Sequence, residues 1–260
     1  MHRFIVAVGR QSVALILAAI TILASPPTAT HAAATLPPLP SRAIIVAADI
    51  SASVPIALAQ STQGLLIRSL QHAYTANALD QGVPDTLIEW IAIGIDSYSP
   101  RSVILRAWIP GLHPLPHNRF LSARLRQQVG SLITAERRAT TQAANAVIAE
   151  VARLHFHTEY GTDLDGAPDR FTQDVAAITG HRDLILSSDL LGAAPQADHV
   201  SWNMANTTAQ VFEYCSQSAV DNAASCVHRQ QVWTDALSAA RATVQWRSST
   251  LLDTLPYITF

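Results

Sequence analysis

Asp49, Ser51 and Ser53 occupy every second position in "IIVAADISASVP", residues 44–55. One carboxylate and two hydroxyls at the end of an apolar run cost free energy unless something uses them. The D-x-S-x-S spacing suits a hard divalent cation. Mg2+ takes oxygen ligands in near-octahedral geometry and tends to keep several waters. A loop leaving a strand can turn alternate side chains toward one point, so Ser51 and Ser53 would offer neutral oxygens and Asp49 a negative charge. A second carboxylate, Asp189, ends the run "DLILSSD" at residues 183–189 and would join them directly or through water. So few carboxylates leave a cation electrophilic, with a position open to a carboxylate from a partner. A simpler reading of Asp49, Ser51 and Ser53 is a helix N-cap, because Asp and Ser side chains satisfy free backbone N–H groups.

These side chains need strands to carry them. "AIIVAAD" (43–49), "TLIEWIAIGID" (86–96), "SVILRAWIPG" (102–111), "DLILSSD" (183–189), "AQVFEYC" (209–215) and "TVQWRSS" (243–249) have strand length and apolar content. Between them lie helical rhythms. One fills "VPIALAQSTQGLLIRSLQHAYTANAL", residues 54–79, where Val54, Leu58, Leu65, Leu66 and Ala73 stand near helical spacing, with Pro55 in its first turn. Another fills about 118–157, as one long helix or two broken near Gly130. Pro168 fits the first turn of a short helix in "DRFTQDVAAIT", and "CVHRQQVWTDALSAARA" is a further helix. Strands alternating with helices predict an α/β fold with a largely parallel sheet covered on both faces. Open sheets of this kind bind ligands at the carboxyl ends of their strands, where Asp49 and Asp189 fall.

The pattern "DISAS", then "GTDLDGA", then "LILSSD" resembles a von Willebrand factor type A (VWA) domain with its metal-ion-dependent adhesion site (MIDAS). The resemblance runs through residues 43–248 in order of elements, and its three short motifs are the specific part. It implies a Rossmann-like fold with a central, mostly parallel sheet. It also implies a metal site of Asp49, Ser51, Ser53, a distal Thr and Asp189. Thr162, in a loop opening a helix, matches the distal Thr; Thr140 and Thr141 are rivals. The family often has Gly after the last Asp, whereas Leu190 and Leu191 follow it here. The expected strand order is 3-2-1-4-5-6, with the Asp49 strand in the centre. The domain so delimited is 42–250, with a helical insertion at about 118–157 and a tail at 251–260.

The chain has 260 residues, enough for one domain with a sizeable core. Its first 32 residues hold Arg3 and Arg10, then the apolar run "VALILAAITILA" and the small residues Thr30 and Ala32. This is signal-peptide architecture, followed by a Pro-rich spacer at 33–41. The apolar run is short for a spanning helix, which needs about 20 residues. The expectation is therefore export to the periplasm or the exterior, with no stable membrane span after cleavage. Beyond residue 32 there are 15 Arg and no Lys against 19 Asp and Glu, which is not a nucleic-acid footprint. In an exported chain, Cys215 and Cys226 are expected to pair, the alternative being two buried thiols.

Other residues carry weaker signals. His155, His157 and Glu159 share no face if helical, and read as a helix end rather than a zinc site. Asp163, Asp165 and Asp169 fail the EF-hand spacing, with Pro168 at the sixth position and Asp174 at the twelfth, and Asp163 and Asp165 read as turn caps. His113 and His117 read as surface loop. Trp90, Trp108, Trp233 and Trp246 read as core, and Trp202 as either core or a partner surface. The resemblance implies a binding module that holds Mg2+ or Mn2+ and, through it, an acidic residue of a protein partner, and not an enzyme. Two alternatives stand beside it: a scaffold with the same fold and an idle site, and a metal-dependent phosphatase or hydrolase using Asp49. Against the second, the D-x-D of Asp-nucleophile phosphatases is broken by Ser51, and neither G-x-S-x-G nor a phosphate-binding loop motif occurs.

Overall fold

A computed structural model describes residues 40–113, 123–191, 201–215 and 223–260. The predicted signal segment and most of the Pro-rich spacer lie outside the described residues, as does His117. Six strands form one sheet: β1 (Arg42–Asp49), β2 (Thr86–Ile93), β3 (Val103–Ile109), β4 (Arg182–Ser188), β5 (Thr207–Glu213) and β6 (Thr243–Ser248). Their order is β3-β2-β1-β4-β5-β6, and all neighbours are parallel except the β2–β3 pair. The fold is thus α/β and Rossmann-like, in the order expected from the sequence.

Period-two alternation divides the strands between two cores. Ile44, Val46 and Ala48 of β1 face one core with Ile88 and Trp90, while Ala43, Ile45 and Ala47 face the other with Ile91 and Ile93. β1 is buried on both faces because neighbours flank it and helices cover it. This explains its unbroken apolar run. Helices α1 (Ile56–Ala73) and α3 (Ala123–Ala152) cover the first face, and α4 (Gly166–Asp174) and α5 (Ala223–Ala239) the second.

The structure sharpens several helix boundaries. The helix expected after Pro55 is two helices, because the Thr75 hydroxyl accepts the Ala78 N–H and starts α2 (Ala76–Gln81). The long helix α3 continues through Gly130. That residue is exposed, so its missing side chain costs no packing. His155 and His157 do not end a helix: α3 stops at Ala152 and they follow it outside any helix or strand. Residues 251–260 pack onto α1. Leu252 and Ile258 are buried, Arg68 donates to the Leu252 and Leu255 carbonyls, and the Ile258 N–H donates to Ser69 Oγ at 2.9 Å. Trp202 does not face a partner. It stacks on Trp233 in the second core, and its indole N–H donates to Asp169 Oδ1 at 2.7 Å. Cys215 and Cys226 form a disulfide tying the end of β5 to α5, with Cα atoms 6.1 Å apart.

A charged cluster joins the sheet to α4. Glu89 of β2 is wholly buried, and its carboxylate lies 2.7 Å from Arg106 of β3. Arg106 also reaches Asp174 at 2.7 Å, and Asp174 is held by Arg170 within α4. Burial, followed by the neighbouring Asp174, pushes the Glu89 carboxyl up to about 8 against the pull of the two arginines. Burial alone would raise Asp174 as well, but Glu89 and the two arginines hold it below the ordinary carboxylate range. The raised Glu89 carboxyl therefore favours its protonated form near neutral pH. The native state thus keeps a proton that the unfolded chain loses above its ordinary carboxylate pKa, so stability must fall as pH rises toward 8. We expect the unfolding free energy from urea titrations to decline from pH 5 to 8, by on the order of a few kcal/mol at about 1.4 kcal/mol per pKa unit. Glu89→Gln has no proton to lose there and should show a flatter profile over the same range.

Candidate metal centre

β1 ends where the candidate site begins. Asp49 lies opposite Ile93, the last residue of β2, and the Ile50 N–H extends that ladder by one bond to the Ile93 carbonyl. The chain then turns, with the Ser51 N–H donating to Asp49 Oδ1 at 2.8 Å and the Val54 N–H donating to the Ser51 carbonyl. An Asp that accepts from the backbone two residues on is the standard nucleus of such a turn. The Ser51 and Ser53 hydroxyls lie 3.0 Å apart on the same side of it. The N-cap reading fails for these residues. Pro55 is the cap of α1 and makes no side-chain cap hydrogen bond; its carbonyl accepts the Leu58 N–H.

β4 brings the second carboxylate. It is the strand next to β1, with Ser187 opposite Ala48, and adjacent strands lie about 4.8 Å apart. The Ser188 hydroxyl donates to Asp49 Oδ2 at 2.6 Å and accepts the Leu190 N–H at 2.9 Å. Both oxygens of the wholly buried Asp49 are therefore occupied. Asp189 is 1 % exposed, and only one of its oxygens is engaged: Oδ1 accepts the Leu191 N–H at 2.9 Å, while Oδ2 is buried with no hydrogen-bond partner. Burial pushes the Asp189 carboxyl above its ordinary value. The Leu191 N–H and the nearby Ser53 hydroxyl work against this, the charge of Asp49 adds to it, and Arg229 opposes it. Leu190 follows with φ of 57°, a left-handed conformation that costs a non-glycine residue roughly 1–2 kcal/mol. Its side chain is buried in the second core, which offsets that strain.

The loop between α3 and α4 closes over the ends of β1 and β2. Glu159 pairs with Ser51 in a parallel bridge, its N–H donating to the Ile50 carbonyl, and its Oε2 accepts the Ile95 N–H at 3.0 Å. A Cβ on Gly94, just past the end of β2, would lie 1.9 Å from that carboxylate oxygen, so any larger residue there would push the Glu159 side chain out of its contact with the Ile95 N–H. Gly161 has φ of 140°, which side chains rarely adopt, and its turn delivers Thr162 to the same edge, half-buried. Asp163 fixes the far side, accepting the Ser97 N–H at 2.8 Å and the Gly166 N–H at 3.1 Å. This is the turn-capping role its sequence context implied. Thr140 and Thr141 lie elsewhere. Thr140 donates to the Gly111 carbonyl just past β3, whose last residue pairs with the first residue of β2, at the sheet edge opposite Asp49. Thr141 donates back into its own helix.

The fold therefore gathers Asp49, Ser51, Ser53 and Asp189, with Thr162 in the loop above. Two carboxylates held so close together in a buried site repel each other unless a proton or a cation lies between them. Ser188 was missed from the sequence, and Glu159 was read there only with the two histidines as a helix end. The signal for Ser188 was the hydroxyl pair Ser187–Ser188 before the acid; for Glu159 there was none, since its role depends on a crossing of distant segments. His155, His157 and Glu159, with Phe156 between the two histidines, line a cavity of about 640 Å3 beside the site. Among the described residues, no three His, Cys, Asp or Glu side chains cluster as metal ligands. The candidate centre rests on hydroxyls and two carboxylates instead.

No protein-family model matches the chain, and no curated protein does. Among solved structures, the chain is similar to an aerotolerance-related membrane protein from Bacteroides fragilis NCTC 9343, crystallised with multiple mutations to serines. Identity is 11 %, coverage 82 % of this chain and 94 % of that one, and the TM-score 0.36, a likeness too distant to argue from. Among the described residues, no helix is long and apolar enough to cross a membrane.

The Ser188 hydroxyl is a direct tie between the two strand ends. We expect Ser188→Ala to destabilise the protein by about 1–3 kcal/mol in EDTA, because Asp49 Oδ2 is left buried and unsatisfied. Urea unfolding would check this; a change within about 0.5 kcal/mol, as at an ordinary surface site, would mean that the bond does not hold Asp49.

Proposed function

We propose that this chain is an exported VWA-like module that holds a divalent cation, Mg2+ or Mn2+, at the carboxyl edge of its sheet and captures through it an acidic residue of a protein partner. The observation that carries the reading is Asp189 Oδ2, a buried carboxylate oxygen without a partner beside Ser53. Such an oxygen costs free energy until a proton or a cation meets it. Ser51, Ser53 and Asp189 would hold the cation, with Thr162 contributing from the loop. Asp49 would act behind them, since its oxygens already orient the Ser51 backbone and the Ser188 hydroxyl. This oxygen-only set fits a hard cation. When bound, the ion supplies an electrophilic position open to a carboxylate oxygen from a partner.

The hydrolase alternative draws less support. Asp49 has both oxygens hydrogen-bonded and is wholly buried, which leaves a nucleophile no line of approach. The idle-scaffold alternative differs from the proposal only in metal affinity, and metal titration separates them.

The test is thermal unfolding of the oxidised protein in EDTA and in Mg2+ or Mn2+. A site filled at 100 times its dissociation constant adds about 2.7 kcal/mol, a rise of roughly 5–10 °C for a domain of this size. We expect that rise in the wild type and its loss in both Asp49→Ala and Ser53→Ala. Ser53 is exposed, but its hydroxyl meets Ser51 and Asp189, so the variant's response is read as its shift between EDTA and metal, each variant against its own metal-free Tm. No rise in the wild type would favour the idle scaffold. Turnover of a phosphate monoester, abolished by Asp49→Ala, would favour the hydrolase.

A further inference from the structure

Away from the candidate metal centre, the β4–β5–β6 half of the sheet has an unusual first face. α1 and α3 cover the β1–β3 half, but of β4, β5 and β6 only Ile185 and Phe212 join that core. The rest of the face is polar, and residues 257–259 form its roof over a cavity of about 330 Å3. That volume lies at the lower end of small-molecule sites.

Three side chains define its chemistry. Gln210 of β5 is 2 % exposed, and its Oε1 is buried without a hydrogen-bond partner. Arg247 of β6 is half-buried, its Nε–H is likewise unpartnered, and its one hydrogen bond among the described residues is a long one to Gln245, at 3.4 Å. No carboxylate lies within salt-bridge reach of it among those residues. Asp183 of β4 is already paired with Arg42 at 2.9 Å, and His181 Nε2 lies within hydrogen-bond distance of its other oxygen at 3.1 Å. Gln210 pairs with Gln245 and Phe212 with Arg247, so Gln210 and Arg247 are diagonal neighbours on one face. The cavity therefore offers one uncompensated positive charge and, one strand over, a buried amide in need of a partner.

A buried amide oxygen and a guanidinium N–H left open cost free energy in the empty protein. The complementary ligand is an anion with a hydrogen-bond donor close to its charge. We infer that this cavity binds a small carboxylate bearing a hydroxyl or amino group on the adjacent carbon, with the carboxylate on Arg247 and the donor on Gln210. The roof makes binding a matter for residues 251–260 as well. Ile258 is pinned to Ser69, Tyr257 stacks on His72, and Phe260 lies against Arg42, which holds Asp183 in the cavity wall. A bound ligand is thus sensed by the segment that clasps α1. This inference is independent of the metal reading and can fail or succeed without it.

The test is NMR titration of the oxidised protein in EDTA with acetate, glycolate, glycine and the uncharged glycolamide. We expect saturable amide shifts at Thr208, Gln210 and Ile258 with glycolate or glycine, at roughly 3–10-fold lower concentration than with acetate, the worth of one added hydrogen bond. Glycolamide should give none. Arg247→Gln, on an edge strand, should fold and lose the response to all three carboxylates. Gln210→Leu should erase the advantage of glycolate over acetate while leaving acetate binding in place. The inference is overturned if the wild type shows no saturable shift up to ~50 mM, beyond the millimolar range that about −4 kcal/mol of binding implies. Arg247→Gln binding as well as the wild type would overturn it equally.

Discussion

Two carboxylates, Asp49 and Asp189, end neighbouring strands at the point where the sheet changes its direction of winding. From β1 the chain winds outward through β2 to β3, then crosses back to β4 on the other side of β1. Loops leaving β1 and β4 therefore diverge and open a crevice between them. What enters that crevice is set by a hydroxyl. Ser188 donates to Asp49 and accepts from the Leu190 backbone, so the end of β4 is built around the end of β1. Asp49 is thereby satisfied and Asp189 is not, and the chemistry proposed for the site follows from that asymmetry.

The remaining elements serve this edge at some cost. α1 begins without a side-chain cap, because the polar residues before it are turned toward the crevice. Leu190 sits in a left-handed conformation directly after Asp189. Gly94 and Gly161 leave room for the Glu159 segment to pass the ends of β1 and β2 and deliver Thr162. Local rules broken together at one place mark a functional site more often than a defect, since surrounding structure must hold each departure. The rest of the domain supplies that support through two apolar cores, the Glu89–Arg106–Asp174 cluster and the Cys215–Cys226 disulfide.

Segments distant in sequence do much of the positioning. The 30-residue helix α3 carries the chain along the first face of the sheet, from the far edge back to the site. Residues 251–260, expected as a tail, pack along α1 and roof a polar cavity on the other half of the same face. Trp202 was open to two readings because an aromatic after a strand end suits both a core and an interface; packing against Trp233 and a hydrogen bond to Asp169 decide for the core.

The sequence by itself determined the elements and their order. Period-two and helical apolar patterns, with Pro55 at a helix start, reflect local geometry and burial, which act over a few residues and are written in the residues themselves. The positions of Asp49, Ser51, Ser53 and Asp189 at strand ends were legible for the same reason, and the strand order followed once the motifs were set in that pattern. Only the tertiary structure decided which side chains meet. That Ser188 satisfies Asp49, that Glu159 passes the end of β2 at Gly94, and that Thr162 lies at the site edge while Thr140 lies at the opposite one all depend on contacts between segments tens of residues apart. The same holds for Gln210 and Arg247, which read as ordinary strand residues until their neighbours leave them without partners. Hydrogen-bond satisfaction is a property of the assembled surroundings, and no local pattern of residues encodes it.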